Sequence, residues 1–117
     1  MSIEQLAETA QAMVAAGKGI IAIDESTATI AKRFAGVGIE NTEENRRAYR
    51  EMLLTTPKLG EHISGAILYD ETIRQATKAG VPFTKIMTEA GVLPGIKVDT
   101  GAKPLAGFPG ELVTEGL

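Results

Sequence analysis

The sequence predicts an α/β fold, with an N-terminal helix followed by three parallel strands joined through helical crossovers. Three observations lead to it. Largely apolar runs at Gly19–Ile23, Ile63–Tyr69 and Gly95–Asp99 have strand length, and such runs fit strands buried on both faces of a parallel sheet. Helix-period segments lie between them, which is the order of βαβ units. Each run also ends in a carboxylate, Asp24, Asp70 or Asp99. That is the edge of the sheet where α/β barrels collect catalytic groups.

The elements follow in order. Ser2 and Gln5 form a capping-box pattern, and Leu6, Thr9, Ala10, Met13 and Val14 recur at helical spacing behind it. Gly17 is the expected left-handed C-cap of this first helix. After the first strand, Ile30 to Phe34 is helix-compatible and runs into the turn-rich Gly36–Ile39. Asn41 with Glu44 three residues on signals the next helix, which Pro57 and Gly60 close. A helical stretch from Thr72 to Lys78 follows the second strand. Pro82 at N1 and Gly91 at C′ bracket a further short helix. The Gly/Pro-rich tail, Thr100 to Leu117, reads as an extended loop. Three parallel strands fall short of the eight that a barrel needs, so residues 1–117 read as the opening of a larger fold.

Composition narrows the function classes. The chain has 117 residues, 44% of them hydrophobic, and only three Phe and two Tyr represent the aromatics. Its core must therefore come from aliphatic side chains and Met. Twelve Lys+Arg against fifteen Asp+Glu gives a net charge of −3 without a basic stripe, which argues against nucleic acid. The absence of cysteine excludes disulfides, thiolate catalysis and cysteine-ligated metals. No apolar run approaches the roughly 20 residues of a membrane helix, and the first residues lack a secretory pattern, so the expected location is cytoplasmic.

Several residues are candidates for chemistry. Asp24 reads either as an N-cap of the following turn or as an acid at a pocket mouth, able to exchange protons with a substrate hydroxyl. Ser26 and Thr29 lie at a helix start, where hydroxyls cap the helix or help hold a phosphate. Arg33 and Arg46 are either solvated helix charges or phosphate-binding forks. Lys97 sits between Ile96 and Val98, so it either faces a polar cavity or reaches water at a strand end. Asp99 is its candidate partner. Gly17-Lys18-Gly19 lacks the spacing of a phosphate loop, and His62, the single histidine, has no second histidine with which to build a metal site.

Four blocks in the same order resemble the class I fructose-bisphosphate aldolase family. They are Gly17 to Thr27, Asn41 to Arg50, Gly65 to Thr72, and Gly95 to Gly101 with Pro104 to Gly107. The resemblance implies a (β/α)8 TIM barrel and reversible cleavage of fructose 1,6-bisphosphate into two triose phosphates, a lyase reaction of glycolysis. It implies a Schiff-base lysine on the sixth strand and an acid/base glutamate on the fifth, both outside these blocks. This chain alone is therefore expected to be inactive. It places Asp24 and Lys97 in the catalytic site and Ser26, Thr29, Arg33 and Arg46 around a phosphorylated sugar. It also implies no metal or cofactor, and a homo-tetramer for the full-length family. The alternative is a non-catalytic barrel fragment that assembles with a complementary chain or binds phosphate weakly.

Overall fold

The computed structural model describes residues 1–116. Its order is α1 (Ile3–Met13), β1 (Gly19–Ile23), α2 (Thr27–Ala35), α3 (Glu43–Leu54), α4 (Leu59–His62), β2 (Ile63–Leu68), α5 (Asp70–Ile73), α6 (Phe83–Glu89), β3 (Leu93–Ile96), β4 (Ala102–Pro104) and β5 (Leu112–Thr114). The first three strands form one parallel sheet in the order β1-β2-β3.

Side-chain alternation sorts the sheet into two faces. Ile21 pairs with Ala66, and Ile23 with Leu68. This face is covered by the crossover helices, because Leu54 of α3 and Phe83 and Met87 of α6 join Ile23, Ala66, Leu68 and Val92 in one buried cluster. Burying a side chain such as Phe83 contributes about 1.5–3 kcal/mol. Both crossovers thus lie on one side and neighbouring strands follow sequence order. A barrel winds this way, whereas a doubly wound sheet places helices on both faces.

The other face is largely uncovered. Ile20 is 45% exposed and Ala22 is also exposed. Burial on both faces, expected from the apolar runs, is approached only in β2, whose open-face Ile67 is half-buried. In contrast, β1 exposes its open face, and β3, at the edge of the sheet, exposes Pro94 and Ile96. The radius of gyration is 16.4 Å, against about 13 Å for a closed domain of this length. The difference reflects an open sheet rather than a closed core.

The structure keeps some of the local capping signals and moves others. The Ser2–Gln5 capping box is present, but α1 ends at Met13, and Gly17 takes its left-handed conformation in the turn beyond. No residue of α1 is buried. The helix is tied to the sheet where the Ser64 hydroxyl donates to the Met13 carbonyl, at 2.5 Å. Thr42 rather than Asn41 caps α3, accepting from the Asn45 amide at 3.2 Å. The proposed Thr72–Lys78 helix shrinks to the single turn of α5, because the Thr77 amide bonds to Val81 and Ala76 bridges to Pro82. Pro82 is the N-cap of α6, one position earlier than expected, while Gly91 has the anticipated left-handed conformation.

Two corrections concern the end of the chain. The third strand spans Leu93–Ile96, so Lys97, Val98 and Asp99 follow it rather than belong to it. The tail is not a plain loop: β4 and β5 pair antiparallel as a hairpin. The expectation for Leu117 lies outside the described residues.

Candidate functional site

The open face leads to the carboxyl ends of the strands. Asp24 follows β1 and Tyr69 follows β2, each two residues beyond an open-face position, Ala22 and Ile67. Lys97 stands in the same relation to Gly95, and its amide bonds to the Leu68 carbonyl at 2.9 Å, which carries the strand register one step further. Alternation therefore sends Asp24, Tyr69 and Lys97 to one side. A cleft of about 440 Å³ lies there, lined by Ser26, Tyr69, Lys97, Asp99, Thr100 and Gly101.

Lys97 is the centre of this arrangement. Its ammonium donates to Asp99 Oδ2 at 2.7 Å and lies 3.5 Å from Asp24 Oδ2. The Asp99 hydrogen bond, with added attraction from both carboxylates, raises the lysine above its ordinary value. Lys97 reciprocally holds the Asp99 carboxyl below the carboxylate range, assisted by the Gly101 amide, which donates to Asp99 Oδ1 at 3.0 Å. Asp24 makes no cap. The N-cap of α2 is Ser26, whose Oγ accepts from the Thr29 amide at 3.3 Å and lies 3.1 Å from the Thr29 hydroxyl.

The two nominated arginines are engaged with carboxylates. Arg33 pairs with Glu25 and is largely exposed. Arg46 grips Glu71 through Nε and Nη2, each at 2.8 Å, and its Nη1 donates to Asn41 Oδ1 at 2.9 Å. These bonds raise the guanidinium and lower the Glu71 carboxyl. The structure thus gathers Asp24, Ser26, Lys97 and Asp99 at one opening. Thr29, Arg33 and Arg46 do not line it.

Arg50 escaped sequence reading. It is 1% exposed, with Nε donating to the Ile23 carbonyl at 2.9 Å and Nη2 to the Glu25 carbonyl at 3.0 Å. Nη2 also lies 3.0 Å from Glu25 Oε2, and the guanidinium carbon is 5.5 Å from the centre of the Tyr49 ring. Burial pushes this guanidinium down, with the Glu25 carboxylate opposing. A signal was available: Arg46, Arg50 and Leu54 share one helix face at four-residue spacing, and Leu54 is core. His62 is exposed at the end of α4. Among the described residues no three His, Cys, Asp or Glu gather as a metal-binding group, and no helix is long and apolar enough to cross a membrane.

Three comparisons bear on this geometry. The family model described as "Glycolytic: Fructose-bisphosphate aldolase class-I" matches residues 5–117. A "Probable fructose-bisphosphate aldolase class 1" of Xanthomonas campestris pv. campestris is 83% identical over 117 residues, covering all of this chain and 35% of the relative. A "Fructose-bisphosphate aldolase, cytoplasmic isozyme" of Cicer arietinum is 57% identical over 86% of this chain and 28% of its own. Chloroplastic relatives match as well. The crystal structure of the Plasmodium falciparum aldolase, solved with TRAP and a small-molecule inhibitor, superposes with a TM-score of 0.90 at 50% identity. It covers 97% of this chain and 33% of that one.

Fold and strand order therefore define part of a (β/α)8 barrel enzyme. The chain belongs to the class I fructose-bisphosphate aldolase family. It spans about a third of the length of the relatives it matches.

Proposed function

We propose that residues 1–117 are the amino-terminal part of one aldolase barrel domain and supply one wall of its active site. The reaction is reversible cleavage of fructose 1,6-bisphosphate to glyceraldehyde 3-phosphate and dihydroxyacetone phosphate, in cytoplasmic glycolysis. The observation that supports it most is the Lys97 ammonium set between Asp24 and Asp99 at the carboxyl end of the sheet, in a chain of this family.

In this reading Asp24, at the strand end beside Lys97, exchanges a proton with a reacting hydroxyl brought within hydrogen-bond reach of its carboxylate. Lys97 supplies positive charge to anionic oxygens of the substrate. The hydroxyls of Ser26 and Thr29, with the N-terminus of α2, face a phosphate. Arg33 and Arg46 join them by exchanging Glu25 and Glu71 for phosphate oxygens, for which a planar fork is suited. The family's Schiff-base lysine and acid/base glutamate come from strands other than the three described. The full-length assembly is a homo-tetramer on the same resemblance, and no metal or cofactor takes part.

The chain alone is accordingly expected to form no covalent adduct. Borohydride treatment of the purified chain with dihydroxyacetone phosphate, followed by mass spectrometry, checks this. Accumulation of a reduced adduct at Lys97 would overturn the assignment. A second reading is a non-catalytic barrel piece that pairs with a complementary chain. Its support is the exposed Ile20 and Ala22 face, because unpaired strands and bare apolar surface recruit partners. Co-expression with the remaining strands of an aldolase, followed by co-purification and an aldol-cleavage assay, separates the two. Association with turnover supports the first reading, and association without turnover supports the second.

A further inference from the structure

The buried Arg50 has more to hold than a helix face requires. Its fork spans two carbonyls, those of Ile23 and Glu25, which flank Asp24 along the chain. A third bond, to Glu25 Oε2, pins the side chain of the next residue, and Glu25 also carries Arg33 on its other oxygen. This is where β1 ends and the chain must turn into α2 at Ser26. Among the described residues no backbone hydrogen bond to a neighbouring strand holds Asp24 or Glu25, and the paired register stops at Ile23. Without a fixed backbone, a carboxylate at the end of a strand has no reason to stay 3.5 Å from Lys97.

We infer that Arg50 is the positioning residue of Asp24: its guanidinium clamps the backbone on both sides of the aspartate and so aims the carboxylate at Lys97. The inference rests on the proposed role of Asp24, because only there does aim have a catalytic consequence. A planar fork is needed, as its donors diverge in fixed directions and reach both carbonyls at once. A lysine at the same place keeps the charge and loses the second carbonyl. A purely structural arginine would stabilise α3 against β1 without affecting which groups meet in the cleft.

The Asp24–Lys97 contact can be read directly on the 117-residue chain, independently of turnover. The Lys97 side-chain amine is titrated by carbon- and nitrogen-detected NMR in the parent and in Asp24→Asn, and again with each replacement placed in Arg50→Gln and Arg50→Lys. In the parent, Asp24→Asn should lower the Lys97 midpoint. In both Arg50 variants the same replacement should leave the midpoint unmoved, because Asp24 has already turned away. Arg47→Gln serves as the control: Arg47 lies on the same helix but pairs with Glu44 and Glu51, so the drop should persist. An undiminished drop in the Arg50 variants would overturn the inference. So would loss of dispersed amide signals in both, which would make Arg50 a support of the whole sheet rather than of one loop. Absence of aldol cleavage in the co-expressed assembly would instead remove the proposed function and leave this NMR result standing.

Discussion

Lys97 Nζ lies 3.5 Å from Asp24 Oδ2, joining the end of β3 to the end of β1 across the intervening strand. Its shorter bond, 2.7 Å, goes to Asp99 two residues on. One ammonium thus holds a local and a distant carboxylate together, and removing it has a measurable consequence. In Lys97→Met the Asp99 titration should move up toward the ordinary 3.8, since Lys97 is the main cause of its depression. The Gly101 amide, which still donates to Oδ1, keeps part of the lowering against the burial that raises it. Carbon-detected NMR of the carboxyl resonances measures this, and an unmoved Asp99 would show that the pair does not form in solution.

The Arg46–Glu71 pair sets an acid limb of stability. Glu71 is held below its ordinary 4.5 by the Arg46 hydrogen bonds. A depressed folded value means that the unfolded chain binds more protons, so the contribution is present above 4.5 and is lost as pH falls through the folded value. Lys97 has the opposite sign: raised above 10.5, its contribution is lost as pH rises through the folded value. Urea midpoints should therefore be level near neutrality and fall in acid, with a shallower fall in Glu71→Gln. Parallel acid limbs in the two proteins would count against the pair.

Gly60 is a site where no side chain fits. A Cβ there would lie 1.8 Å from the Ala90 carbonyl oxygen and 3.0 Å from its carbon, both backbone atoms with little room to yield. Gly60→Ala must push α4 away from the α6–β3 turn. The expected loss is at or above the upper end of the ~1–3 kcal/mol typical of overpacking. Equilibrium urea unfolding measures it; a variant as stable as the parent would mean that α4 does not pack against this turn.

Thr42 tests the entry to the helix that carries Arg46 and Arg50. Its Oγ1 satisfies the free Asn45 amide. Thr42→Ala should cost about 1 kcal/mol, whereas Thr42→Ser, which keeps the oxygen, should be close to neutral. Equal losses in the two variants would indicate that packing of the threonine methyl, not the cap, is responsible.

Much of this was legible in the chain itself. Ser2 with Gln5 identified the first cap, and the apolar runs located all three strands of the parallel sheet to within a few residues. The errors cluster where a local pattern competes with a distant partner. Thr72–Lys78 has helical composition, yet Thr77 and Ala76 bond to Val81 and Pro82, so only one turn survives. The Gly/Pro-rich tail hid a hairpin because its strands, at three residues each, are too short to show a period.

The candidate site divides along the same line. Asp24, Ser26, Lys97 and Asp99 could be nominated from sequence because each stands at a strand end or helix start, and those positions are marked by local pattern. Arg46 and Arg50 could not be ranked that way: both are arginines on one helix face, and neither carries a mark of its partner. The crossover decides by setting α3 against β1, so that Arg50 meets the carbonyls around Asp24 while Arg46, one turn earlier, meets Glu71. Sequence by itself determined the α/β order, the parallel strands and the kinship with class I aldolases, because periodicity and motifs are properties of neighbouring residues. Tertiary structure alone decided which charges are buried and which are paired. Those outcomes depend on the desolvation of groups brought together by strand register and helix packing, which no short stretch of chain contains.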